Sequence, residues 1–177
     1  RTGGASGLER LARVPDFDFP ANDGTRVSAR DLQWRVWVAN AVDMRCNETC
    51  PALTARMSQL QEALKRSKAG GVSLVSFSLD PEYDSPDALA TYARQAGADG
   101  VWWKFLTGPE TDVAGILRGG MPGSPDATQG GGASHPRRFA VVDQSGWVRA
   151  FVDGNDPEVI QKLLLTVGEV LREGPAS

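Results

Sequence analysis

With 177 residues, 41% of them hydrophobic and 23% charged, the chain suits one compact domain with its own core rather than a miniprotein held by a disulfide. A formal charge of -3 with no basic cluster excludes an electrostatic footprint for nucleic acid and gives no charge-driven route to a membrane surface. No apolar run approaches the roughly 20 residues of a spanning helix, and no signal-peptide pattern opens the chain, which begins at Arg1; an excised domain whose anchor or export signal lay upstream is the expectation.

Residues 1–13, rich in Gly, Ser and Arg, read as a flexible arm or linker with at most a short turn around Leu8 to Leu11. Phe17-Asp18-Phe19 and Thr25 to Ser28 flank the turn residues Asn22-Asp23-Gly24, which predicts a β-hairpin. Val36 to Val42 reads as a buried strand. After Cys50-Pro51, Leu53, Met57, Leu60 and Leu64 recur at helical spacing until Gly70-Gly71 stops the run. Val72 to Leu79 is β-branched and aromatic, and Ser85-Pro86-Asp87 offers a cap and first turn for a helix through Ala96. Trp102 to Leu106 follows as a short strand, and a helix is expected over Glu110 to Leu117. Residues 118–134, rich in Gly and Pro, form a long loop of the kind that is usually functional or mobile. Phe139 to Val142 and Trp147 to Val152 flank Gln144-Ser145-Gly146 as a second hairpin, Asp156 caps a last helix to about Leu171, and residues 173–177 are a tail. This order predicts an α/β, thioredoxin-like three-layer sandwich over residues 14–172, with an N-terminal β-hairpin and a mixed β-sheet carrying helices on both faces.

The chemistry concentrates in Cys46-Asn47-Glu48-Thr49-Cys50-Pro51, which holds both cysteines of the chain. Two thiols four residues apart can close a disulfide or grip a soft metal ion, and the lone histidine, His135, supplies an imidazole. An inert staple is the alternative, but a chain of this length needs none, and a helix N-terminus favours thiolate. His135 is either an ordinary loop histidine or a ligand; the loop before the Phe139 strand falls at the same sheet end as Cys46, which favours the ligand. Asp80-Pro81-Glu82-Tyr83-Asp84 matches no calcium loop and reads as a solvated turn with helix-entry acids. Trp102-Trp103 and the Met57 stripe read as core, and Met44 and Met121 as either soft ligands or gap fillers.

These stretches resemble the Sco/SenC family of copper chaperones, which take part in assembling the dinuclear copper centre of cytochrome c oxidase. The resemblance spans most of residues 14–172 and is carried by Asp23-Gly24, Val36 to Asn40, the C-N-E-T-C-P run, Leu53-Thr54 with Met57, Val75 to Glu82, the F-L-T-G of residues 105–108, His135, the F-A-V-V-D of residues 139–143, and Gly146. It implies a thioredoxin-like domain, tethered outside the cytoplasm, that binds copper as Cu(I) or Cu(II) through Cys46, Cys50 and His135, with Cys46 and Cys50 also a redox-active pair. Asp80 matches a family aspartate near the site, with no ligand role assigned. The implied partner is the copper-bearing subunit of the oxidase or another copper- or thiol-exchange protein, the implied location is the bacterial periplasm or the outer face of the inner membrane, and the implied state is a monomer. Two stretches depart from the family pattern: Asp43-Met44-Arg45 replaces an aromatic-Thr pair before the first cysteine, and a glycine-rich stretch precedes the histidine. The second reading is a thiol-disulfide oxidoreductase or redox sensor, against which stand the C-x-x-x-C spacing and the position of Pro136. A peroxiredoxin fits less well because Ala39 and Asp43 stand where that family has Pro and Thr, and a non-catalytic adaptor is a third possibility.

Overall fold

All seven residues of β4 (Val36–Val42) are buried, as a strand enclosed on both faces must be, and the sheet is built outward from it. The computed structural model describes residues 7–46, 49–109 and 138–175. In chain order the other elements are β1 (Ala12–Arg13), β2 (Asp18–Pro20), β3 (Arg26–Ser28), α1 (Thr49–Ser67), β5 (Val72–Ser78), α2 (Pro86–Ala96), β6 (Trp103–Leu106), β7 (Arg138–Val142), β8 (Trp147–Asp153) and α3 (Val159–Glu173). A six-stranded mixed sheet runs in the order β1-β8-β7-β4-β5-β6, and β2 and β3 pair separately. The neighbours β4, β5 and β6 are parallel, whereas β7 is antiparallel to β4.

Because β4, β5 and β6 step across the sheet in one direction, two right-handed crossovers place α1 and α2 on one face. One core cluster bears this out: Leu53, Met57, Leu60 and Leu64 of α1, Leu89 and Ala93 of α2 and Leu163 and Val167 of α3 pack on Val36, Val38, Leu74, Phe105 and Val141. The second cluster, on the opposite face, joins Phe17, Phe19 and Val27 of the N-terminal hairpin to Trp37, Val75, Phe77 and Val142. Among the described residues the second face is covered by the hairpin and by the short 3-10 turn Arg30–Leu32, which adds Leu32; the expected helix over Glu110 to Leu117, the loop 118–134 and Met121 lie outside them.

Gly108, after β6, is a glycine by necessity, since a Cβ there would run into the Phe19 ring. Ser85 caps α2 as expected, accepting from the Ala88 N–H, and Gly97 ends it in the left-handed conformation.

Three expectations need correction. The described part of the arm, residues 7–13, is not loose: Ala12 and Arg13 pair with Val148 and Trp147, Leu8 packs on the core, and the carbonyls of Leu8 and Glu9 accept from Arg149. Glu173, assigned to the tail, closes α3 and ion-pairs with Arg149 at 2.6 Å. The last helix also starts at Val159; Asp156 instead caps the preceding turn, accepting from the Glu158 N–H and pairing with Lys162.

Candidate functional site

The turn after β4 delivers Cys46 to the N-terminus of α1. Its backbone is closed by Cys46 N–H to the Asp43 carbonyl at 3.0 Å and by Arg45 N–H to the Asp43 carboxylate at 2.9 Å. Cys50 lies in the first turn of α1, 1% exposed, and its N–H donates to the Cys46 sulfur at 3.3 Å. The two thiols are not joined in a disulfide and are unequal: Cys46 is half-buried, Cys50 buried. Burial, followed by the neighbouring Cys46 sulfur, pushes the Cys50 thiol up to about 12, although a backbone hydrogen bond at Asp43 works the other way. The Cys50 N–H at the helix N-terminus points at the Cys46 sulfur, while at Cys50 itself desolvation dominates.

A second layer comes from the turn between β5 and α2. Arg45 ion-pairs with Asp80 and lies over the Tyr83 ring at 5.1 Å, strapping the Cys46 turn to this one. Asp80 accepts from the Tyr83 N–H at 3.2 Å, and its own N–H donates to Ser78 Oγ at 3.1 Å. Asp84, expected to face solvent, is 0% exposed, and Ser78 Oγ donates to its carboxylate at 2.7 Å. Burial raises the Asp84 pKa, opposed chiefly by the hydrogen bond from Ser78. Met44 itself packs against the core, the gap-filling role.

A third contribution, not read from the sequence, is Tyr92 of α2. Its hydroxyl is 3.0 Å from Thr54 Oγ1, one helical turn beyond Cys50. Burial raises its pKa, opposed by Thr54 and reinforced by charge at Cys50, Cys46 and Asp84, so the phenol, both sulfurs and the buried carboxyl share one neighbourhood. Beside it, Pro51, Thr54, Ala55, Ser58, Tyr92 and Gln95 line an open groove of about 380 Å³ between α1 and α2. Trp103 and Met57 are buried core residues, as expected.

The structure thus brings Cys46 and Cys50 together, with Asp80 tied to the same turn through Arg45; His135 and Pro136 lie outside the described residues. Among the described residues no group of three or more His, Cys, Asp or Glu side chains is placed to hold a metal ion. The sulfurs are the soft donors that remain, and a soft, low-coordinate ion is what two thiolates suit.

Known proteins resemble the chain along nearly its whole length. The SCO1/SenC family model matches residues 6–167. A SCO1 protein homolog of Bacillus subtilis (strain 168) is 39% identical over 95 residues, which make up 54% of this chain and 49% of that protein, so the match spans about half the length of the curated relative. Among solved structures, a SCO1/SenC family lipoprotein of Bacillus anthracis superposes with a TM-score of 0.78 at 28% identity, covering 93% of this chain and 99% of that one. BsSco, described as having a disulfide switch and as a member of the Sco family of cytochrome c oxidase assembly proteins, gives 0.75 at 27% identity, covering 93% and 98%. With the thioredoxin-like sheet, the paired thiols at its end and a family match over residues 6–167, the chain belongs to the SCO1/SenC family.

Proposed function

We propose that the chain is a copper metallochaperone of cytochrome c oxidase assembly, holding one copper ion through Cys46, Cys50 and His135 and passing it to the copper-bearing subunit. The observation that carries this reading is the placing of two thiols, not joined in a disulfide, at the N-terminus of α1, with the Cys50 N–H on the Cys46 sulfur, in a chain of this family. Copper here is cargo. Two thiolates suit Cu(I); His135 would add the borderline nitrogen that favours Cu(II). Release would follow by stepwise ligand exchange, each partner ligand replacing one donor. An extracytoplasmic location on a membrane tether, which the lipoprotein relative supports, and a monomeric state belong to the same proposal.

Copper titration of the reduced chain tests it. One ion per chain is expected, with tight binding lost in the Cys46→Ser, Cys50→Ser double variant; unchanged stoichiometry and affinity there would end the assignment. His135→Ala should weaken Cu(II) binding far more than Cu(I) binding, and equal Cu(II) affinity would make His135 a bystander.

The inequality of the thiols favours a second reading, thiol-disulfide exchange. The accessible Cys46 thiolate would attack one sulfur of a partner disulfide and expel the other as thiolate. Cys50 would then attack Cys46 in the mixed disulfide, releasing the second partner thiolate and leaving the pair oxidised by two electrons. Mass spectrometry should show reversible loss of two hydrogens without dimer formation.

A further inference from the structure

The strands β4, β5 and β6 are parallel, so the loops that enter them gather at one end of the sheet, and the seven residues of β4, about 20 Å, separate that end from the Cys46 turn. Among the described residues only two that are not glycine adopt left-handed backbone, Trp34 at φ +68° and Lys68 at φ +54°, and both lie in these loops. Lys68 closes α1, a position usually given to glycine, and is exposed. Trp34 precedes β4 and is 72% exposed. Left-handed backbone costs a bulky side chain about 1 kcal/mol or more, and a side chain standing in solvent returns no packing for it. Val101, before β6, is 79% exposed. The turn between β7 and β8 reaches the same end, where the Trp34 N–H donates to the Gln144 carbonyl at 3.0 Å. There the half-buried Trp147 carries the guanidinium groups of Arg10 and Arg13 over its ring, at 5.6 and 5.7 Å.

Charge at this end is unbalanced. Asp99 is held by Lys65, and Asp143 and Glu173 by Arg149, whereas no carboxylate among the described residues pairs with Arg10, Arg13 or Lys68. Glu9 and Asp31 offset part of that charge. No basic run shows in the sequence because these cations come from stretches far apart along the chain, which only the fold brings to one end. Exposed tryptophan among cations without a carboxylate suits a bilayer interface, with the indole at headgroup level and the cations against anionic lipid.

We infer that this end, opposite the cysteines, is a docking face for an anionic phospholipid bilayer, with Trp34 as its anchor and Arg10, Arg13 and Lys68 as its charge contacts. Docked in this way, the domain points its cysteine end away from the membrane. The inference rests on the proposed function only for the membrane-tethered location; copper binding does not enter it.

Sedimentation of the full chain with lipid vesicles at low salt tests this. Binding is expected to vesicles of equal parts phosphatidylcholine and phosphatidylglycerol and not to phosphatidylcholine alone, with a blue shift of tryptophan emission and with loss of binding at high salt. Trp34→Asn should weaken binding about tenfold and remove most of the shift, and Lys68→Asn should weaken it about fivefold. Asparagine tolerates left-handed backbone, so both variants should melt at or above the wild-type temperature, which a packing role for either side chain would not allow. Lys162→Gln, at the cysteine end, should bind as wild type does. Failure of the wild type to sediment with the mixed vesicles, wild-type affinity in Trp34→Asn and Lys68→Asn, or an equal loss in Lys162→Gln would overturn the inference. A chain that docks on these vesicles but holds no copper would instead overturn the proposed function and leave the docking face standing.

Discussion

Two buried carboxyls sit at opposite ends of the same sheet and are treated in opposite ways. Asp143, in the turn between β7 and β8, is 3% exposed; its Oδ1 accepts from the N–H groups of Ser145 and Trp147, and its Oδ2 from Arg149 at 3.1 Å. Arg149 also meets Glu173 at 2.6 Å and the carbonyls of Leu8 and Glu9. Burial opposes the charge on Arg149, and Glu173 and Asp143 more than restore it, so its pKa is raised. At the cysteine end Asp84 is more deeply buried, with one oxygen unbonded and no cation paired with it among the described residues. A satisfied ion network fastens chain segments, whereas an unsatisfied carboxyl marks a place where fastening is subordinate to chemistry.

The contrast can be broken most forcefully at Arg149. Arg149→Ala would strand Asp143 and Glu173 and release residues 7–13, and should cost about 3–5 kcal/mol in urea unfolding; in the protein that remains folded, the dithiol–disulfide equilibrium should match wild type. A loss below about 1 kcal/mol would mean that the network is no fastener.

The next effect is a pH dependence at the other end. The folded chain keeps the Cys50 proton up to about 12, whereas the unfolded thiol loses it around 9.0. Between those values the unfolded state binds fewer protons, so stability falls as pH rises, by about 1 kcal/mol at a pH one unit above the unfolded value. Cys50→Ala should lack that loss, read as the difference between the two proteins' unfolding free energies at pH 8 and pH 10. Parallel curves would contradict the buried thiol.

Ser85→Ala removes the cap on the Ala88 N–H and should cost about 1 kcal/mol without moving the dithiol equilibrium. The smallest stability effect should come from Asp84→Asn, within about 1 kcal/mol of wild type in either direction, since it removes an unpaired buried charge along with a hydrogen bond. A loss as large as that of Arg149→Ala would make the two carboxyls alike.

What the sequence disclosed was local. The helical spacing of Leu53 to Leu64, the turn residues Asn22-Asp23-Gly24 and the Ser85 cap each act within a few positions, and each element formed where expected. The pairing of Ala12 and Arg13 with β8 was hidden because it depends on Arg149, some 140 residues away, and on an edge strand too short to show alternation. Asp84 was misread for a related reason. As a carboxylate between Tyr83 and Ser85 it has the look of a helix-entry acid, and only the parallel pairing of β4 with β5 brings Ser78 and the Cys46 turn over it. Cys46 and Cys50 were legible from their spacing, but their inequality was not, because burial of Cys50 depends on α1 packing against the sheet.

The pairing of residues 12–28 bears on solubility. β1 lies along the open side of β8, and the hairpin lies along the open side of β6, where the Asn22 N–H donates to the Phe105 carbonyl, the Thr107 N–H to the Pro20 carbonyl, and the Asn22 side chain accepts from the Phe105 N–H. One stretch of chain therefore screens both margins of a sheet whose inner strands are rich in Val, Phe and Trp. Unscreened margins of this kind recruit strands from neighbouring molecules. In the proposed function, where two thiols meet a partner protein, this pairing is a guard against self-association through the sheet margins.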